Sequence, residues 1–494
     1  MNKKSYITTT IPYVNAAPHI GHALEFVQAD VIARFRRVKG DETYFLSGSD
    51  ENAIKNVQAA EKEGIPTEEL VQRNADAFRD LLKKLNISVD QFIRTSEERH
   101  KIGAQALWSA TKKEDLYKKK YQGLYCQGCE TFYNKDELNE AGECSEHPGK
   151  KLEVIEEENY FFKLSNYQKW LTEVVEKDEL KIVPQSKKNE VLAFIKRGLE
   201  DFSVSRPVER TKNWGVHVPN EPGQTMYVWY DALANYITAL GYPDVNAKLF
   251  KTFWLENDKK IHVLGKGVSR FHAVYWLAML KSAGLPIPNE EFIHGYITVE
   301  GQKISKTVGN VIDPFDVISR YGVDSVRYYL LREIPAYEDG DFSEEKFKDR
   351  YNGDLANGLG NFTARVLTLG AQVGEIKIGG AVLLEKSVEE KIATIQKEMD
   401  IKLNEYRFHD ALSSLWELIR FGDGYVNDKK PWEIADPEEK KRVIFNLITI
   451  LDNVAAFLLP FLPETSEKIT KNIYWKNEET LITAKPETLF PRIK

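Results

Sequence analysis

Two short words in this 494-residue chain carry residue types that do chemistry on phosphates. In "PHIGH", His19 and His22 flank Gly21 where a β-like run gives way to a helical one. Gly21 lets a ligand approach the backbone, and a helix starting there offers free N–H groups and a positive dipole end. Imidazoles beside it can donate hydrogen bonds to a phosphate chain, stabilising charge that develops as pyrophosphate leaves. That chemistry calls for a nucleoside triphosphate, although a His-x-x-His taken alone also reads as a helix cap or polar surface. The second word, "GQKISKTVGN", places Lys303, Ser305 and Lys306 between Gly301 and Gly309, in what reads as a mobile loop hinged at the two glycines. With 68 basic residues in the chain, a lysine pair has meaning only beside the histidine–glycine turn.

The elements around these words must bring them together. Residues 5–11 read as a buried strand, and apolar residues from Gly21 to Arg37 recur at helical spacing. "ETYFLSGSDE" gives a second strand, and Asn52 to Glu63 returns to helix. Strand–helix alternation predicts an α/β, doubly wound parallel sheet with ligands at the carboxyl ends of its strands. The alternation breaks near Tyr117 and resumes after Pro222, so residues 1–116 and 223–300 read as two halves of one Rossmann-like nucleotide-binding fold. Residues 117–222 are a connecting insertion, 301–350 a lysine-loop and stem-contact region, and 351–494 an all-α helical bundle without a convincing strand run.

All three cysteines fall within the insertion, as Cys126-x2-Cys129-x14-Cys144-x2-His147. Two knuckles separated by a turn-rich span suit one tetrahedral zinc held by three thiolates and an imidazole, closed and structural. An odd cysteine count argues against a disulfide framework. Apolar content of 42% and a net charge of −7 describe a globular chain rather than a non-specific nucleic-acid coat. The opening "MNKKSYITTT" has no apolar signal-peptide core, and runs such as "VAAFLLPFLP" are too short to span a bilayer. The expectation is a cytoplasmic protein with no membrane partner.

"PHIGH" and "KISKT" resemble the HIGH and KMSKS signatures of class I aminoacyl-tRNA synthetases. The longer words "TTTIPYVNAAPHIGH", "VWYDALANYITAL" and "KISKTVGNVIDP" are similar to the methionyl-tRNA synthetase family, over Tyr6 to about Trp432. The resemblance implies adenylation of L-methionine by ATP with Mg²⁺, then transfer to tRNA(Met) bearing a CAU anticodon. His19, His22, Lys303 and Lys306 would be catalytic, with Gly21 and Ser305 also at the ATP. The methionine-site positions would be Ile11, Tyr13, Asp50, Trp229, Ala232, Leu233, Tyr236, Val268, His272 and Trp276. A thioether is recognised by aromatic contact, and Asp50 is the natural partner of the α-ammonium. The insertion would shape the path of the tRNA acceptor end.

Two words depart from the family. "DENA" stands where Asp-Glu-His-Gly is common, giving Asn52 and Ala53, and "GKG" puts Gly267 where an aspartate is common. Asn357, Asn361 and Arg365 recur at steps of four, which puts them on one helical face. With Trp432 they match the positions from which the family reads its anticodon, amides and guanidinium suiting base edges and an indole suiting a splayed base. The chain ends soon after the helical part, from which a monomer is expected. Two rivals stand: a synthetase for a smaller amino acid such as cysteine, for which the aromatic pocket is oversized, and a catalytically inactive tRNA-binding relative.

Overall fold

The computed structural model describes residues 3–126, 131–133, 138–144, 149, 152–304, 309–379, 383–485 and 487–493. Contacts divide the chain into two compact units. The first is Met1–Ala29, Arg36–Lys83 and Ser88–His294, and the second is Asp30–Phe35, Lys84–Ile87 and Gly295–Lys494.

The first unit is built on six parallel strands. β1 (Lys4–Thr8), β2 (Glu42–Ser49) and β3 (Gln91–Arg94) form one side, and Lys260–Gly265, Glu290–His294 and Lys181–Val183 continue the other side from β1. Tyr6, Ile7 and Thr8 are fully buried, as a strand of a parallel sheet covered on both faces must be. Gly48 shows how tightly β2 and β3 approach, since a Cβ there would lie 2.4 Å from the Ile93 carbonyl oxygen. The strand order reverses between β1 and Lys260–Gly265, which opens a crevice at their carboxyl ends. The helices α1 (Ile20–Val38), α2 (Ile54–Glu63), α3 (Thr67–Lys84) and α4 (Glu98–Ala110) connect the first three strands onward. The sheet takes its edge strand, Lys181–Val183, from the segment read as insertion. The rest of that segment holds an antiparallel sheet of Leu116–Cys126, Thr131–Tyr133, Glu153–Phe162 and Phe202–Ser203.

The second unit is mainly helical, with Asn361–Val373, Lys386–Asn404, Phe408–Lys429, Pro437–Leu458 and Pro463–Thr470 as its longer members. Leu412, Leu415, Ile444, Leu451 and Leu458 are wholly buried and form its core. Inside it Arg327 is fully buried, paired with Asp30 at 2.7 Å and donating to the carbonyls of Leu85, Pro460 and Phe461. Such a guanidinium is tolerable only with its donors satisfied in this way. Three short strands, Ile376–Lys377, Ile473–Asn477 and Thr480–Thr483, accompany these helices, a sheet that the helical spacing did not announce. No helix among the described residues is long and apolar enough to cross a membrane.

Candidate active site

The loop leaving β1 pairs with the end of β2 before it reaches the histidines. Tyr13 forms a parallel bridge with Asp50, and the Asp50 N–H donates to the Pro12 carbonyl at 2.9 Å. Seven residues past Tyr13, α1 begins. The His19 N–H donates to His22 Nδ1 at 3.1 Å, and the Gly21 N–H donates to His19 Nδ1 at 3.1 Å. A backbone N–H can only donate, so in both rings Nδ1 is bare and the proton sits on Nε2. The rings stack 3.9 Å apart, and the edge of Phe78 packs 5.0 Å from His22. Burial, and then His19 beside it, hold His22 well below the ordinary imidazole value. His22 is therefore a neutral Nε2–H donor at a helix N-terminus.

Gly21 is required by this packing, because an added Cβ would stand 2.9 Å from His19 Cε1 and 3.0 Å from Nδ1. Gly21→Ala is expected to push the His19 ring aside and to lower kcat for adenylate formation by roughly tenfold, a loss of one aimed donor in part. Steady-state pyrophosphate exchange with a circular-dichroism control checks this, and an unchanged kcat would refute it.

A cluster of aromatic rings lies in the same unit. Tyr13 meets Trp229 edge-on at 6.2 Å, Trp229 meets His272 at 6.3 Å, and Tyr236 lies 5.7 Å from His272 and 6.2 Å from Trp276. His272 Nδ1 lies 3.0 Å from the Val268 carbonyl, which can only accept, so its Nε2 is bare and accepts a hydrogen bond from the Tyr236 hydroxyl at 2.8 Å. Ala232 and Leu233 are buried on the segment Val228–Leu233, and Ile11 lies over Gly48, where an added Cβ would meet its Cγ2 at 2.8 Å. The Trp276 indole N–H has no acceptor among the described residues. Of the methionine-site positions named from the sequence, Tyr13, Trp229, Tyr236, Val268, His272 and Trp276 are joined by these ring contacts and the Val268–His272 hydrogen bond, and Asp50, bridged to Tyr13, is only 3% exposed.

A network that sequence reasoning missed stands behind Asp50. The Asn52 N–H reaches Asp50 Oδ1 at 3.3 Å, and its side-chain amide donates to the Thr95 carbonyl at 3.0 Å and to Asp231 Oδ2 at 2.7 Å. Asp231 Oδ1 meets His100 Nε2 at 2.6 Å, and His100 Nδ1 meets the Thr238 hydroxyl at 2.9 Å. Asn52, a departure from the family word, is therefore a bonded link and not a gap. Glu25, one turn past His22, was also missed. It accepts from the Thr10 N–H and hydroxyl and meets His294 at 3.0 Å, tying together the ends of two strands. The only sequence signal for either group was polar residues in otherwise apolar runs.

Three histidines here are held neutral, which gives a pH dependence. Burial lowers His22 and His262 well below the ordinary value and His272 to about 4. Between pH 6.5 and those lower values the unfolded chain binds protons that the folded chain refuses. Stability is thus full above about pH 6.5 and falls as pH drops, by up to about 1.4 kcal/mol per pH unit for each histidine. In His272→Gln, the loss of urea stability between pH 7 and 5.5 is expected to be smaller by about 1 kcal/mol. Identical slopes for the two proteins would contradict it.

The remaining sequence-chosen residues fall elsewhere. Lys303 pairs through its backbone with Thr298, while Ser305 and Lys306 lie outside the described residues. Gly301 and Gly309 flank that stretch with positive φ of 72° and 76°. Gly267 sits in a short turn, Lys266–Val268. In the second unit Asn357 and Asn361 are exposed and Arg365 half-buried. Tyr351–Gly360 is a π-helix, so the step from Asn357 to Asn361 is not the α-helical one assumed from spacing. Asn357 accepts from Arg492 at 2.9 Å, Arg365 donates to Asn427 at 2.8 Å, and Trp432 is 53% exposed. Cys126 and Cys144 are both buried in one small cluster with Tyr133, whereas Cys129 and His147 lie outside the described residues. Among the described residues, no three His, Cys, Asp or Glu come together as metal ligands.

The strand order reverses beside β1, and the loop leaving β1 leads to the histidine-bearing start of α1. Residues 5–367 match the family model described as tRNA synthetases class I (M), and residues 385–491 match the anticodon-binding domain of tRNA ligase. The methionine–tRNA ligase of Brucella suis is 42% identical over 479 residues, covering 94% of this chain and 91% of that protein. That of Thermotoga maritima is 40% identical, covering 96% of this chain and 76% of its own length. Mycobacterium tuberculosis methionyl-tRNA synthetase in complex with methionyl-adenylate superposes with a TM-score of 0.91 at 35% identity, covering 99% of this chain and all of that one. The chain belongs to the methionine–tRNA ligase family.

Proposed function

We propose that this chain ligates methionine to tRNA, first forming methionyl-adenylate from methionine and ATP. The observation that carries the reading is the single loop from Thr9 to Pro18. It pairs with Asp50 at Tyr13 and then delivers His19 and His22, so the amino-acid site and the phosphate donors share one short span. The methionine ammonium binds Asp50, its thioether lies among Tyr13, Trp229, Tyr236 and Trp276, and Ile11, Ala232, Leu233, Val268 and His272 complete the wall.

The methionine carboxylate attacks the α-phosphorus of ATP. A new P–O bond forms as the bond to pyrophosphate breaks, and charge grows on the leaving oxygen. The Nε2–H groups of His19 and His22, at the positive end of α1, meet that charge. Lys303 and Lys306, with Ser305, serve the same phosphates on the strength of the sequence argument. Mg²⁺ bound to ATP would neutralise part of the phosphate charge. A ribose hydroxyl at the 3′ end of tRNA then attacks the adenylate carbonyl and releases AMP. No protein nucleophile is needed, and rate comes from positioning and charge stabilisation.

Three thiolates and an imidazole are a donor set that suits zinc, and the burial of Cys126 and Cys144 in one cluster fits a closed site. Cys126, Cys129, Cys144 and His147 would hold it, and it would crosslink the knuckle. Asn357, Asn361, Arg365 and Trp432 read the CAU anticodon, and the protein works in the cytoplasm. The test is amino-acid-dependent ATP–pyrophosphate exchange without tRNA across all twenty amino acids. Exchange with methionine alone is expected. Exchange with another amino acid would overturn the pocket, and none at all from folded protein that still binds tRNA would leave the non-catalytic reading.

A further inference from the structure

One row of the parallel sheet carries three polar residues in its interior. Thr8, His262 and Glu291 stand in register on the neighbouring strands Lys4–Thr8, Lys260–Gly265 and Glu290–His294, so their side chains share one face. Thr8 and Glu291 are fully buried and His262 is nearly so. The Thr8 hydroxyl lies 2.6 Å from His262 Nδ1, which leaves the other ring nitrogen. Among the described residues His262 Nε2 has no partner, and neither oxygen of Glu291 has one.

An unpaired carboxyl in the middle of a buried sheet destabilises the fold. Burial pushes the Glu291 acid well above its usual range, so it keeps its proton where the unfolded chain ionises. Its contribution to stability is full below the ordinary value of 4.5 and is lost as pH rises towards the raised one. What covers the row gives the acid a use. The Tyr236 ring rests 4.2 Å from the His262 ring, its hydroxyl donates to His272 Nε2 at 2.8 Å, and the two histidine rings are 6.2 Å apart. Burial first, and the nearby Glu25 and Glu291 carboxyls after it, push the Tyr236 hydroxyl upward. Tyr6 and Lys260, two places earlier on the same face, reach the Tyr236 carbonyl and, at 5.9 Å, the Trp254 ring. The Trp254 ring lies 6.3 Å from His262 and 6.2 Å from Trp276, and both indole N–H groups lack acceptors among the described residues. Unmatched donors and acceptors thus collect behind the aromatic cluster, where one buried water can serve several of them.

We propose that Glu291 is a positioning residue for the methionine side chain. Through a bridging water its carboxyl holds His262 Nε2 and so fixes the imidazole on which Tyr236 rests. The Tyr236 hydroxyl is thereby kept on His272, within the ring cluster assigned to the thioether. The inference rests on the ligase reading above and adds a residue that never touches the substrate.

The test uses the full chain with Glu291→Leu and Glu291→Gln, in pyrophosphate exchange driven by methionine or by norleucine, which has a methylene in place of the sulfur. Glu291→Leu is expected to raise the urea midpoint at pH 8, where the buried acid weakens the wild type, and to raise it less at pH 5. Its KM for methionine should nonetheless rise about fivefold, the scale of one hydrogen bond, with the KM for ATP unchanged. Its preference for methionine over norleucine should fall by a similar factor. Glu291→Gln, which keeps a donor and an acceptor in place, should retain most of that preference. A Glu291→Leu protein that binds and selects methionine as the wild type does overturns the assignment. So does a joint loss of stability and of affinity for both methionine and ATP, the mark of damaged packing. Either result leaves the ligase reading standing, whereas absence of methionine-dependent exchange in the wild type overturns both.

Discussion

His22→Ala is expected to lower kcat for methionine-dependent pyrophosphate exchange by about 100- to 1,000-fold, the usual loss when one aimed donor is removed from a developing charge. The KM for methionine should hardly move, because among the described residues the ring contacts of His22 are His19 and Phe78. The control is His22→Gln, whose amide nitrogen can occupy nearly the place of Nε2. Gln should restore part of the rate, whereas Asn, with its amide nearer to Nδ1, should not. A uniform loss in all three variants, with a rising methionine KM, would mean that His22 only supports the helix start.

Asp231→Ala is the substitution with the largest expected effect on stability. Asp231 is 1% exposed and His100 fully buried, and His100 Nε2 and the Asn52 side-chain amide each lose a partner when the carboxylate goes. Removing one member of such a buried pair costs about 3–5 kcal/mol. The urea midpoint of tryptophan fluorescence measures it, and a shift equivalent to less than 1 kcal/mol would show that the pair carries little. A second readout separates role from bulk stability. Asp231 holds the Asn52 side-chain amide, and the backbone N–H of the same residue reaches Asp50, so the surviving folded fraction should show a raised KM for methionine and an unchanged KM for ATP. Equal rises in both would point to general loosening.

The strand–helix alternation of the first unit was legible because β1, α1 and β2 have the periods and apolar content that parallel sheets impose. Tyr13, Trp229, Tyr236 and Trp276 were chosen through family resemblance, and in the structure ring contacts link them by way of His272. Lys181–Val183 was not, since three residues cannot display a period, and its place at the sheet edge depends on pairing with Glu290–Phe292. Ile473–Asn477 escaped notice for a different reason. Tyr474 and Trp475 are both half exposed there, so no alternation of buried and polar residues marks the strand. The Asn52–Asp231–His100 chain joins positions 179 and 131 residues apart, and no local pattern encodes such a meeting. Asn52 looked like a loss from the family word because its partner could not be seen.

The hydrogen bonds that end on the Nδ1 atoms of His19 and His22 also set a polarity filter. Both rings are pinned by backbone N–H groups of the same helix start, so neither can turn a lone pair outward without breaking a bond that the backbone supplies. What approaches meets N–H only. A ligand bringing acceptors, as a polyphosphate does on every side, finds each contact complementary. One bringing an amide or ammonium to the same place sets donor against donor in a half-dry crevice, where an unmet polar group is costly. Mimics of the adenylate should accordingly tolerate sulfonyl or phosphonyl oxygens facing this helix and reject amines there, a selectivity written by two backbone N–H groups before any substrate arrives.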